Sequence, residues 1–77
     1  MVQAYIVIET EVGKAASVAR QIAEIPGVLK SDDVTGPFDV IVLAEADNVD
    51  LLGQIVVARI QNVDGITRTL TCPLVSV

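Results

Sequence analysis

The chain has 77 residues, enough for one domain and too few for a second core. Its formal net charge is −5, which argues against direct binding to nucleic acid or to an anionic membrane surface, since both need a basic face. Just over half the residues are apolar, only two are aromatic, Cys72 is the single cysteine and there is no histidine. A disulfide framework and a Cys/His metal site are therefore excluded. A short chain without a covalent or metal staple points to oligomerisation as the remaining stabilising device.

The first ten residues carry no basic region ahead of an apolar one, so no signal peptide is predicted. The apolar runs are strand-sized and far short of a membrane span. Together with the free cysteine, this predicts a cytoplasmic protein.

Ala4 to Ile8, AYIVI, reads as a strand. From Gly13 to Ile25 the period changes. Ala15, Val18, Ala19 and Ile22 fall on one helical face, with Thr10 the expected cap and Pro26-Gly27 the stop. Val28 to Thr35 reads as a half-polar strand. GPFD then turns the chain into Val40 to Ala44, VIVLA, a second continuous apolar strand. Asp47 or Asn48 caps the next helix, which presents Leu52, Val56 and Ile60 as its buried stripe. After a turn at Asn62 to Gly65, Ile66 to Cys72 alternates as a last strand. The order is βαββαβ.

The halves echo each other. Val18, Ile22, Ile25, Gly27 and Val28 recur, at one constant offset, as Val56, Ile60, Val63, Gly65 and Ile66. A duplicated βαβ unit predicts an α+β, ferredoxin-like fold, a four-stranded antiparallel sheet with both helices on one face. The two central strands of that fold are here apolar on both sides. Helices cover one face only, so the pattern predicts a homodimer packed sheet against sheet. Leu51, Ile55 and Ala58 form a second apolar stripe on the outer helix and predict assembly beyond the dimer.

Signals for catalysis are weak. Ser17, Ser31 and Ser76 have no base to activate them, and Cys72 reads as a small buried hydrophobe. Asp32, Asp33 and Asp39 read as a solvated edge and a turn-capping aspartate. On the last strand Thr67, Thr69 and Thr71 alternate with Ile66, Arg68, Leu70 and Cys72. Placing Ile66 against the helices puts the threonines on the open face, although strand propensity alone also accounts for them.

Four features resemble the effector-sensing, or RAM, domain of the Lrp/AsnC family of amino-acid-responsive regulators. They are the element order, IPGV after the first helix, TGPFDVIVLAEAD as the G-x-[aromatic]-D loop and its strand, and VDGITRTLTC as the G-V-x-R-T-x-T ending. Ile66 stands where the family has Val, and Pro37 and Cys72-Pro73 depart from its pattern. The usual helix-turn-helix is missing, so the resemblance implies a single ligand-binding domain over 1–77, without DNA binding of its own.

It also implies an amino-acid-like effector held near a subunit interface. Backbone amides at Gly36 would meet the effector carboxylate, Phe38 would wall the pocket and Asp39 would accept from the ammonium. Thr69 and Thr71 would bind the polar end. No cofactor or metal is implied. Expected partners are a second copy, a ring of dimers and full-length regulators of the family. Three other readings stay open. The GPFD segment is a plain turn with Phe38 in the core and Asp39 capping amides, the chain is a dimeric α+β-barrel enzyme, or it is an assembly module without a ligand.

Overall fold

The structure, a computed structural model, describes residues 1–75. Its elements follow the expected order: β1 (Val2–Thr10), α1 (Ala15–Ala23), β2 (Val28–Asp33), β3 (Val40–Ala46), α2 (Val49–Gln54) and β4 (Ile66–Pro73). Past Gln54 the second helix continues as a π-helical stretch, Ile55–Arg59, and ends in a 3₁₀ turn, Ile60–Asn62. The four strands form one antiparallel sheet in the order β2-β3-β1-β4, so the two doubly apolar strands are central.

The core lies between the sheet and the helices. Ala4, Ile6 and Ile8 of β1 and Val40, Val42 and Ala44 of β3 are buried there. Val18, Ala19 and Ile22 of α1 meet them, with Ala15 half-buried at the margin. Leu52, Val56 and Ile60 complete the layer. A regular α-helix advances roughly 40° past a full circle over four residues, so such a stripe drifts around the helix. The wider π turn takes up that drift between Val56 and Ile60. The Ile60 amide is shared between the carbonyls of Ile55 and Val56, the π and α acceptors respectively. The Asn62 side chain donates to the Ala58 carbonyl at 2.7 Å.

The caps differ from each other. Asn48 caps the second helix through its side chain, which accepts from the Leu51 amide at 2.9 Å. Thr10 does not cap the first: it ends β1, and α1 starts beyond Lys14 with no side-chain cap. The duplication is visible in the hydrogen bonds. Gly65 accepts from the Glu11 amide and Gly27 from the Glu45 amide, each at 2.8 Å, so the glycine ending each helix ties to the other half. Both adopt positive φ, 96° at Gly27 and 101° at Gly65; at the first, the Val28 amide donates to the Ile25 carbonyl at 3.1 Å and closes a turn with Pro26 second and Gly27 third, where glycine is called for.

The other face of the sheet is uncovered. Tyr5, Val7, Ile41, Leu43 and Leu70 lie on it, and Ile41, Leu70 and Tyr5 are 36%, 40% and 43% exposed. Polar pairs frame this apolar patch. Gln3 donates to Glu45, Arg68 pairs with Glu9 at 3.6 Å and Lys30 with Asp32 at 3.7 Å.

Candidate functional site

The loop that carries Gly36, Phe38 and Asp39 joins β2 to β3 and packs on the C-terminal end of β1. The Val34 amide donates to the Asp39 carbonyl, and the Asp39 amide donates to the Ile8 carbonyl at 2.8 Å. The β1–β3 ladder stops at the pair of Ile8 and Val40. Thr10 is the next residue of β1 whose amide points toward β3, and no strand residue remains to accept from it. Asp39 Oδ2 accepts instead, at 2.8 Å. The aspartate therefore caps the strand end with one oxygen, and its other carboxylate oxygen makes no hydrogen bond among the described residues.

Gly36 is exposed and sits at φ 138°, a region that L side chains rarely occupy. A Cβ there would meet nothing within 4 Å, so the backbone conformation, not crowding, calls for glycine. Among the described residues, the amides of Gly36 and Phe38 find no acceptor. Phe38 is half-buried and lies outside the core cluster. The loop thus sets a carboxylate oxygen and two unpaired amides within a few residues of each other, an arrangement that suits a zwitterion.

The threonines are not on the open face, which corrects the sequence expectation. Ile8 pairs with Thr69 and Ile6 with Thr71, so both threonines lie on the helix side of β4. The cause is a bulge. Glu9 pairs with Arg68 but Thr10 with Ile66, which leaves Thr67 as an extra residue whose hydroxyl donates to the Glu9 carbonyl at 3.1 Å. Ile66 does pack against the core, as its place in the repeat predicts, and the bulge then inverts the face of every later residue. Arg68, Leu70 and Cys72 turn outward in consequence, so Cys72 is exposed in the single chain, not buried. No turn signal in the sequence marks this extra residue.

Thr69 and Thr71 line a groove of about 330 Å³ between β4 and the second helix, with Val56, Val57 and Gln61 among its walls. Gln61 Nε2 donates to Thr69 Oγ1 at 3.3 Å. Gly36, Phe38 and Asp39 are not among the walls of this groove. The groove that the threonines line therefore does not include the loop residues, although Thr69 and Val40 flank Ile8 on the same rung of the sheet.

For other chemistry the arrangement offers little. Among the described residues no group of His, Cys, Asp and Glu is placed to hold a metal. Ser31 donates to the Ala19 carbonyl at 2.7 Å and Ser17 accepts from Gln21, so both hydroxyls serve the helix. Ser76 lies outside the described residues. No helix among the described residues is long and apolar enough to cross a membrane.

Comparison with known proteins places this geometry. Residues 3–77 match the family model of the Lrp/AsnC ligand binding domain. An uncharacterized HTH-type transcriptional regulator of Pyrococcus furiosus is 37% identical over 54 residues, 70% of this chain and 36% of its own. The chain thus spans about a third of the length of the curated relatives it matches. A protein of Thermus thermophilus superposes with a TM-score of 0.93 at 28% identity, over 100% of this chain and 96% of its own. A transcriptional regulator of Neisseria meningitidis, solved as a complex with L-Met, superposes with a TM-score of 0.84 at 18% identity, over 97% of this chain and 50% of its own; that likeness is one of fold. The match over nearly the whole length and the shared βαββαβ sheet carry one conclusion: the chain belongs to the Lrp/AsnC ligand binding domain family.

Proposed function

We propose that the chain is an effector-sensing and assembly domain that binds a small amino acid or a close analogue. The observation that carries this reading is the β2–β3 loop, where a half-satisfied Asp39 carboxylate stands beside the free amides of Gly36 and Phe38. The carboxylate oxygen left by the Thr10 amide takes the ammonium, the amides take the effector carboxylate, and half-buried Phe38 shields the pair from water. Thr69 and Thr71 of a neighbouring subunit complete the site, because the groove that these threonines line within one chain does not include the loop. Two copies pack through the apolar sheet face, dimers join into a ring, and the assembly works in the cytoplasm beside full-length regulators of the family. No catalytic step belongs to this reading.

A second reading is favoured by the Thr10–Asp39 bond itself. If capping β1 is the whole task of Asp39, the domain is an assembly module without a ligand. Isothermal titration of the amino acids, with Asp39→Asn and Asp39→Ala beside the wild type, separates the two. Asparagine keeps an oxygen for the Thr10 amide and loses the charge. Loss of a charged hydrogen bond costs about 1.5–3 kcal/mol, so Asp39→Asn should weaken effector binding about ten- to a hundredfold at nearly unchanged melting temperature. Asp39→Ala should lower both. Wild-type protein that binds no amino acid at millimolar concentration would leave only the assembly reading.

A further inference from the structure

The outer edge of β4 presents an unpaired main chain. β4 stands at one end of the sheet order and pairs with β1 alone. The Leu74 amide donates to the Gln3 carbonyl at 2.9 Å. Main-chain groups alternate in direction along a strand, so those of Cys72 and Leu70 also point at β1, while those of Thr71 and Thr69 point away from the sheet. Among the described residues the amides and carbonyls of these two threonines have no partner. The open stretch is bounded. The bulge at Thr67 stops it at one end. Pro73 stops it at the other, because its missing N–H falls on the outer side.

The side chains of the same threonines line the groove of about 330 Å³ between β4 and the second helix. Leu52 and Val56 line it as buried residues, and Val49 and Val57 line it while 66% and 63% exposed. Gly53 leaves it open on the helix side. No residue that lines the groove is charged. Sheets ordinarily guard a free edge with charged side chains. The opposite edge, β2, follows this rule with Lys30, Asp32 and Asp33, whereas Thr69 and Thr71 carry no such guard.

The geometry points to a docking site for an extended peptide of another protein, which adds to β4 as a further strand. Residues directly opposite each other in paired strands share a face. The two peptide residues opposite Thr71 and Thr69 therefore turn toward the second helix and enter the groove. Its uncharged walls call for aliphatic side chains at these alternate positions, and the net charge of −5 favours a basic over an acidic flank. The occupant is foreign because the apolar strands of this chain already lie inside its own sheet. A seated peptide covers both threonines, so it and the effector proposed above exclude each other. The docking itself needs one chain and no effector.

Amide hydrogen exchange followed by NMR tests this, without effector, using an acetylated and amidated peptide Lys-Thr-Val-Thr-Val-Thr-Lys. At millimolar concentration it should slow exchange at the Thr69 and Thr71 amides. The same peptide with glutamate in place of both valines should not. Gly53→Leu fills the groove from a helix position where a Cβ meets nothing within 4 Å, so the variant should fold. Thr71→Pro removes an outward amide that bonds to nothing in the chain. Each should weaken peptide binding roughly tenfold or more at unchanged circular dichroism. Absence of protection at millimolar peptide, equal protection by the glutamate peptide, or undiminished binding to Gly53→Leu would overturn the docking site. Slow exchange at both amides in the free protein would overturn it too, because a second copy would then already occupy the edge. Failure of the effector titration leaves this site intact, and the converse holds.

Discussion

Glycine does two different tasks in this chain, and substitution separates them. At Gly27 both the backbone and the surroundings demand it. A Cβ there would lie 2.7 Å from Ile55 Cδ1 and 3.0 Å from the Glu45 carbonyl oxygen, with φ at 96°. At Gly36 only the backbone demands it, because the space beyond is open. Left-handed strain alone costs about 1–2 kcal/mol. We expect Gly36→Ala to lose about that much in urea denaturation and Gly27→Ala to lose clearly more, since the Glu45 carbonyl belongs to β3 and cannot yield. Equal midpoints for the two variants would show that the contact at Gly27 relaxes freely. Cys72 marks what residue type alone conveys poorly. A free cysteine is ordinarily buried, and here the bulge at Thr67 turns it outward.

The two helices draw on different supports. The first has no side-chain cap and relies on its apolar face, Val18, Ala19 and Ile22, against the sheet. The second carries a side-chain cap at Asn48 and then passes through a π turn. Replacing Asn48 by alanine should destabilise the protein by about 1 kcal/mol, whereas aspartate should be close to neutral because it caps equally well. Thermal melting of both variants checks this; a harmless Asn48→Ala would mean that packing alone holds the helix start. The buried stripe Leu52, Val56, Ile60 is readable from spacing, but the π turn that keeps it aligned is not.

The two faces of the sheet make opposite predictions for one kind of substitution. Ile6 and Ile41 belong to neighbouring central strands, yet Ile6 is fully buried against the helices and Ile41 is 36% exposed on the open face. A carboxylate at Ile6 would have no partner in the core, so Ile6→Asp should unfold the domain. Ile41→Asp should leave circular dichroism native and convert the proposed dimer to monomer in sedimentation equilibrium. A dimer that persists in Ile41→Asp would move the interface off the sheet. Val7, paired with Ile41 across the strands, should behave in the same way.

Local signals were enough for much of this molecule. Apolar periodicity, the paired helix stops IPGV and VDGI, and two doubly apolar strands specify the βαββαβ order, the central places of β1 and β3, and which side chains meet in the core. These follow from sequence because period and burial are properties of consecutive residues. The loop residues Gly36 and Asp39 are legible for the same reason, as a turn next to a strand. The face of the threonines is different. One unpaired residue at Thr67 inverts every side chain after it, and that bulge exists only because β4 must keep register with β1 on both sides of the shift at Glu9 and Thr10. The bond from the Thr10 amide to Asp39 likewise joins residues far apart in the chain, at a ladder end that no local pattern announces. Register and ladder ends are agreements between strands, and they come into being only when the strands meet.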